Sequence, residues 1–415
     1  MTTTRSRSWL LLPATAASVG LLLSGCVENN PSSADGGSGA IAVTSTDDSC
    51  DVATTETTSG SISFDVTNEG SQVTEFYLMA DDGLQIIGEV ENIAPGTSRS
   101  LTATVQPGSY KTLCKPGMIG AGVGEGTFTV TGDRVEITGD DAEQKQLAVD
   151  QYAAFVKDQV AQLLPATQTF VAAYIAGDDD AAREQFATVR TFYERIEPVA
   201  EALGDLDPRI DYREVDAVAE GLEWTGFHRI EKDLWVPPRD GTNSDGVTNA
   251  WLDWEPSTPE QRVEYGNKLV ADVQELYDYV HSADFITFLD DRGIDWISNG
   301  SIGLLDEVAT GKITGEEDWW SGTDLWDFAA NVEGSQMAFS LVRDFAESQG
   351  DEGAALVADI DAGYADLNGR LAQFGSLDAG FVNYTELTDE DKRGLSESLN
   401  ALAEPLSNLT TTILG

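Results

Sequence analysis

Along this chain the spacing of apolar and polar positions changes period once. Between residues 41 and 138 it alternates in short runs, SISFDVTNEG, TEFYLMADDG, SLTATVQPGSY and GTFTVTGD, each closed by a turn such as Asn-Glu-Gly or Asp-Asp-Gly. About 98 residues of this texture fit a Greek-key β-sandwich. The glycine run at 120–126 leads into a strand and not a helix, so it reads as a flexible loop and not as a phosphate loop. From residue 139 the period becomes helical. Over 142–177, Leu147, Tyr152, Phe155, Val156, Val160, Leu163 and Leu164 recur at helical spacing, with Pro165 as an expected kink. Further helices are predicted over 178–204, 213–234, 258–281, 300–311, 323–349, 351–374 and 388–413. Gly177, Gly204, Gly311 and Gly350 stand where glycines stop helices. The fold class is therefore β followed by all-α, a sandwich and then a bundle of seven or eight helices. The polar stretch 236–259, with scattered Trp, reads as an exposed insertion.

The first 26 residues form an address. Arg5 and Arg7 precede an apolar run, and Leu23-Ser24-Gly25-Cys26 closes it with small residues and a cysteine. This resembles a lipoprotein signal peptide over 1–25, with Cys26 as the site of lipid attachment; an ordinary secretory signal or a short anchor is the alternative. Residues 26–40 are a polar Gly/Ser linker. The expected location is extracytoplasmic, lipid-anchored to the outer face of the cell membrane. Cys50 and Cys114 remain, as a disulfide or as joint metal ligands.

Composition narrows the partners. The 415 residues hold 72 Asp+Glu against 24 Lys+Arg, a formal net charge of −48. A surface so negative repels phosphate backbones and excludes nucleic acid. Residues 41–138 carry 14 acids and 4 bases, residues 139–415 carry 56 and 18, so the charge is spread evenly. Most of it is a solvated coat.

Two places pair ligand-type residues three apart, which puts both on one helix face. One is Glu194 with Glu197, the other His228 with Glu231. A His-x-x-Glu helix facing a Glu-x-x-Glu helix is an arrangement that bundles use for metals. His228 is one of two histidines and follows the apolar, small-residue run Trp224-Thr225-Gly226-Phe227, which suits burial. His281 ends an amphipathic helix, where a cation complements the dipole. The acidic segment 304–320 offers further carboxylates or is a solvated helix end.

These blocks carry a resemblance. FYERIEP (192–198), LDPRID (206–211), WTGFHRIEKDLW (224–235), LLDEVA (304–309) and KITGEEDWWSGTDLWDFAANVEG (312–334) stand in the order of the imelysin-like, EfeO-type iron-uptake lipoproteins. Cys50, the run 91–96 (ENIAPG) and Cys114 match the cupredoxin-like domain that precedes the helices in longer members. The resemblance implies a signal peptide at 1–25, a linker at 26–40, a cupredoxin-like sandwich over 41–138 and an imelysin-like double four-helix bundle over 139–415. It further implies a metal site of Glu194, Glu197, Asp211, His228, Glu231 and Glu307. One imidazole among carboxylates suits Fe2+ or Fe3+, with Zn2+ as an adventitious occupant. Cys50, Cys114, Glu75 and Glu91 form a second metal site, for copper or iron, or the cysteines form a disulfide. Residues 41–138 contain no His, so a blue-copper centre lacks its imidazoles. The implied function is non-enzymatic: iron is captured and passed to a membrane iron permease, with a haem-peroxidase-type protein as a further partner. The alternatives are an imelysin-like metallopeptidase, for which the second His of a zincin is missing, and a metal-bridged polysaccharide binder using Trp251, Trp254, Trp319, Trp320 and Trp326.

Overall fold

The computed structural model describes residues 39–136 and 142–414. The signal peptide, Cys26 and the linker up to residue 38 lie outside the described residues. The alternating segment forms β1 (Ile41–Ser45), β2 (Cys50–Val52), β3 (Glu56–Thr58), β4 (Gly60–Asn68), β5 (Thr74–Ala80), β6 (Ile86–Ile93), β7 (Ser98–Val105), β8 (Gly108–Cys114) and β9 (Val123–Thr131). They make two sheets, ordered β2-β1-β4-β7 and β3-β9-β8-β5-β6. The β1–β4 and β3–β9 pairs are parallel. Alternation sends Phe64 and Leu101 inward from one sheet, and Phe76, Leu78 and Phe128 from the other, into a shared core. Phe64 lies 5.1 Å from Phe76 and 5.4 Å from Phe128, centroid to centroid. Each such side chain contributes roughly 1.5–3 kcal/mol on burial. The glycine run is only half a loop, because β9 begins at Val123. Cys50 at the start of β2 and Cys114 at the end of β8 form a disulfide that ties the two sheets.

The helical part comprises α1 (Ala142–Ala176), α2 (Asp179–Glu194), α3 (Glu197–Glu201), α4 (Leu206–Ile210), α5 (Glu214–Glu220), α6 (Gly226–Leu234), α7 (Pro259–Val280) and α8 (Ala283–Glu307). A π-helical turn, Val308–Lys312, continues α8. Then come α9 (Asp324–Ser348), α10 (Asp351–Leu371), the hairpin β10 (Gly375–Ser376) and β11 (Gly380–Phe381), α11 (Asp389–Leu406) and α12 (Leu409–Leu414). Helices α1, α2 and α7 pack together, α9 packs on α8 and α10, and α10 on α11; α1–α8 and α2–α9 contacts join the groups into one apolar core.

The helical pattern needs six corrections, one being that 388–413 is two helices, α11 and α12. α1 runs unbroken through Pro165. The helix expected at 300 begins at Ala283, capped by the Ser282 hydroxyl and interrupted at Gly293, whose positive φ hides the continuity. Gly311 lies within the π-turn and stops nothing. The segment 178–204 breaks between Glu194 and Glu197, where Pro198 starts a new helix, and 213–234 breaks at the left-handed Gly221. The insertion 236–259 is folded down, with Ala250 and Trp254 buried.

The β part docks on α8 mainly through polar contacts. The Thr104 amide donates to Asp295 Oδ2 at 2.5 Å, Asn299 Nδ2 to the Thr102 carbonyl at 2.9 Å, and Gln106 Nε2 to the Asp291 carbonyl at 2.8 Å. Arg99 pairs with Asp306 at 3.0 Å. Because the disulfide closes a loop of 64 residues, Cys50→Ser with Cys114→Ser is expected to destabilise the sandwich by about 3–4 kcal/mol. Urea unfolding followed by circular dichroism checks this. Tryptophan fluorescence, which arises wholly outside residues 41–138, should keep its own midpoint.

Candidate metal centre

The His-x-x-Glu helix is placed by a glycine. Gly226 starts α6 at φ +86°, and a Cβ there would lie 2.1 Å from the Ile210 carbonyl oxygen. Only glycine lets α6 abut the end of α4. The next side chain, Phe227, is buried 6.1 Å from Phe170, which turns His228 and Glu231 together onto the opposite face. Their side chains meet, Nδ1 to Oε2, at 3.0 Å. The other oxygen of Glu231 accepts from the Trp320 and Ser321 amides at 3.0 and 2.7 Å. These bonds fold the loop between the π-turn and α9 over α6.

That loop delivers two carboxylates. Glu317 Oε1 lies 3.2 Å and Asp211 Oδ1 3.6 Å from His228 Nε2, while Asp318 Oδ1 lies 3.8 Å from Nδ1. Two overlapping buried triads result, Asp211–His228–Glu317 and His228–Glu231–Asp318, each with its ligand atoms within 4.8 Å of one another. Either triad can offer a metal one imidazole nitrogen and two carboxylate oxygens, a set suited to a borderline or hard cation.

Of the six expected ligands, Asp211, His228 and Glu231 come together. Glu194 and Glu197 do not share a helix face, since α2 ends at one and α3 begins at the other. They converge on Lys312 instead, whose Nζ lies 3.3 Å from Glu194 and 3.1 Å from Glu197. Asn331 Nδ2 bridges them, donating to the Glu194 carbonyl at 2.8 Å and to Glu197 Oε2 at 3.1 Å. One turn on, Gly334 admits the chain: a Cβ there would stand 2.4 Å from the Arg195 carbonyl oxygen. Glu307 is half-buried, 3.8 Å from Lys312. Arg190 joins the two groups. Its guanidinium, wholly buried, contacts Glu194 and Asp211, and reaches Glu317 and Asp327 at 3.2 Å and Asp318 at 3.6 Å.

Arg190 lies outside every motif the sequence singles out, and Lys312 and Asp327 stand in the 312–334 block without being candidate ligands. Arg190 sits one helical turn before Glu194, a spacing that predicts an ion pair. Glu317 and Asp318 stand in the acidic segment 304–320, which by sequence is either a source of ligands or a solvated helix end; both are buried. The folded insertion backs the site from outside. Trp254 lies 4.8 Å from Lys232 Nζ, and Asn243 Oδ1 accepts from that ammonium at 3.2 Å. In the β part Glu75 accepts from the Tyr77 hydroxyl at 2.5 Å, and Glu91 is buried with its Oε2 unpartnered. Both line a cavity shared with Asp211 and Glu317, but the cysteines expected beside them are spent in the disulfide.

Burial governs the electrostatics. It pushes Glu194 up to about 8, against the pull of Lys312 and with Asp327 adding to the rise. Burial likewise lifts Asp318 to about 7, Asp324 to about 8 and Glu75 to about 7. Glu197, Asp327 and Glu91 go well above the carboxylate range for the same reason. Glu317 moves the other way: burial would raise it, but Lys312 and His228 hold it well below its ordinary value. Burial and Arg190 oppose a charged His228, yet its bonds to Glu231 and Glu317 keep it protonated well above its usual range.

Two expectations follow. Groups with raised folded-state pKa values bind more protons in the folded than in the unfolded chain, so stability falls as pH rises through those values. The metal-free protein should therefore melt at a higher temperature at pH 5.5 than at pH 8.5, in calorimetry at constant ionic strength. Glu317, lowered below its ordinary value, is ionised in both states across this window and adds no slope to it. Secondly, Arg190→Met leaves several buried carboxylates without their shared cation. It should lower the metal-free stability by about 3–5 kcal/mol in urea unfolding.

Comparison with known proteins accords with this arrangement. The imelysin family model (peptidase M75) matches residues 148–409. The iron uptake system component EfeO of Escherichia coli strain K12 is 36% identical over 376 residues, covering 89% of this chain and 90% of its own. EfeO of Shigella flexneri matches at the same identity and coverage. Among solved structures, an iron-regulated protein A precursor from Parabacteroides distasonis aligns with a TM-score of 0.45 at 17% identity, over 67% of this chain and 96% of its own. That likeness is too slight to argue from. Kinship with EfeO places the helical module among non-catalytic ones, whatever the peptidase in the family's name. The chain belongs to the imelysin family, and within it to the EfeO type that carries a β-rich region ahead of the helices.

Proposed function

We propose that this protein is the extracytoplasmic, lipid-anchored iron-binding component of an iron-uptake system. Fe2+ or Fe3+ is its cargo, held at the His228 cluster and passed to a membrane permease. The reading is carried by the two buried triads that share His228. The relatives' name, iron uptake system component, supplies the metal. Asp211, His228, Glu231, Glu317 and Asp318 are the first ligands in this proposal. Glu194, Glu197 and Glu307 form an outer group whose charge is balanced by Lys312. Zn2+ fits the same set of atoms.

A cargo site must release as well as bind. A charged imidazole cannot ligate, so metal capture here has to expel the His228 proton, and acidification favours the reverse. Arg190 and Lys312 then repel the bound ion while steadying the carboxylates. A resident metal would be better served without them.

The β part, 41–138, fits a cupredoxin-like sandwich, and 139–415 the imelysin-like bundles. With both thiols in the disulfide and no His in the domain, soft copper ligation has little to build on. A haem-peroxidase-type protein is a further partner in this reading, and the ligand set is able to hold either iron oxidation state. The lipobox at Cys26 supports the anchor.

The test is His228→Ala with Glu231→Ala in the full mature chain, titrated with ferric citrate and, anaerobically, with Fe2+. Affinity should drop by more than the roughly 10–100-fold that loss of an outer partner costs. Unchanged affinity would remove the site.

A further inference from the structure

The two buried triads share one imidazole, and a single ion can use only one of its nitrogens. Asp211 and Glu317 stand on the Nε2 side of His228, Glu231 and Asp318 on the Nδ1 side. An ion beyond one nitrogen faces away from the carboxylates around the other. Part of the cluster therefore touches the ion, and part serves the ring. The two sides are built differently, and the difference assigns the parts.

On the Nδ1 side the carboxylate is already spent. Glu231 is wholly buried; its Oε1 accepts from the Trp320 and Ser321 amides at 3.0 and 2.7 Å, and its Oε2 faces Nδ1 at 3.0 Å. Main-chain donors cannot turn aside as a side chain can, so this carboxylate keeps its orientation. Asp318 Oδ2 is held by the Thr323 hydroxyl, which leaves Oδ1 without a hydrogen bond, 3.8 Å from Nδ1. The void against Glu231 measures about 10 Å³, room for no more than one water. On the Nε2 side, Asp211 and Glu317 line the cavity of about 570 Å³ between the sandwich and the helices, from which an ion can arrive with its water. Their contacts are with the side chains of Arg190 and His228 and leave acceptor capacity on both carboxylates. We propose that the ion binds His228 through Nε2, between Asp211 and Glu317, and that Glu231 is a positioning residue which accepts Nδ1–H and, held by the Trp320 and Ser321 amides, fixes the tautomer and aim of the ring.

This rests on the reading of the His228 cluster as the cargo site, and it sorts the residues named there into those that touch the ion and those that hold the imidazole. Ligating histidines are commonly held in this way, and a carboxylate on the second N–H makes the free nitrogen a stronger donor. The His-x-x-Glu spacing then has a purpose other than ligation. Three residues along one helix face bring Glu231 against Nδ1, the nitrogen nearer the backbone. Nε2, at the far end of the ring, is left to meet carboxylates from other elements. One imidazole and two carboxylates leave further positions on the ion for water or for the oxygens of a chelator. An ion held on the cavity side can be exchanged, whereas one enclosed on the Nδ1 side would have to break the loop that carries Trp320 and Ser321.

Nitrogen NMR of the full mature chain, labelled with 15N-histidine and loaded with Zn2+, reads the assignment directly. His228 and His281 are the only histidines, and His281 is exposed at the end of α7. In long-range proton–nitrogen spectra Nε2 couples strongly to both ring C–H protons and Nδ1 to one, which tells the two nitrogens apart. Zn2+ should move the Nε2 signal of His228 and leave Nδ1 as the nitrogen that bears the proton. Metal on Nδ1 with the proton on Nε2 overturns the proposal and makes Glu231 and Asp318 the ligands. No response of His228 to Zn2+ would remove the cargo site itself, and this assignment with it. The unmutated chain gives these answers without depending on any variant. In Glu231→Gln the side-chain carbonyl can still accept from the two amides, but an N–H then faces Nδ1 in place of an acceptor. Zn2+ affinity should fall about 10–100-fold. Asp211→Asn with Glu317→Gln should cost more than that, and the reverse order of losses also overturns the proposal.

Discussion

One guanidinium holds the centre of this molecule together. Arg190 is wholly buried and is shared by carboxylates from the end of α2, from α4, from the loop before α9 and from α9 itself. Without a fixed positive charge, those acids could not be brought so close in so little water. Coulomb repulsion at separations of a few ångströms would exceed what the apolar packing around them returns. Arginine suits the task because its planar fork contacts several oxygens at once and its charge is never lost. Lysine 312 does the same for a neighbouring group at the end of the π-turn. The helices are thus arranged around two buried cations before any metal arrives.

The two parts of the chain are joined in a compatible way. Polar bonds from β7 to α8 dock the sandwich, and Arg99 ties it to Asp306, the neighbour of Glu307. A largely polar seam leaves room for water, and so a hydrated cavity can persist beside it. An apolar seam would have closed. The disulfide lies within the sandwich core, where it replaces soft-metal chemistry with a covalent tie between the sheets.

Much of this was legible in the residues. The change of period at 139 separated sheet from helix because burial on one face leaves a mark every second or every third to fourth position. His228 and Glu231 were legible because three residues bring side chains onto one helical face. What could not be read was anything that depends on where a helix stops inside a continuous pattern. Glu194 and Glu197 have the spacing of a single face, yet one helix ends at Glu194 and another begins at Glu197, with Pro198 in its first turn, and both carboxylates turn toward Lys312. The burial of Glu317 and Asp318 was equally hidden, since an acidic run looks the same in solvent as in a core. Trp254 looked like an exposed aromatic in a polar insertion, because its partner Lys232 lies across a chain reversal that spacing does not encode.

The π-turn at the end of α8 constrains how the chain can change length. A π-turn accommodates one more residue than an α-helical turn would, and here it closes α8 before the loop to α9. Inserting one more residue within 308–312, beyond the one the turn already absorbs, would rotate everything downstream by roughly 100° about the helix axis. Lys312 would then leave Glu197, and the loop bearing Glu317 and Asp318 would start from the wrong side of α6. This buried segment therefore tolerates substitution more readily than a further insertion.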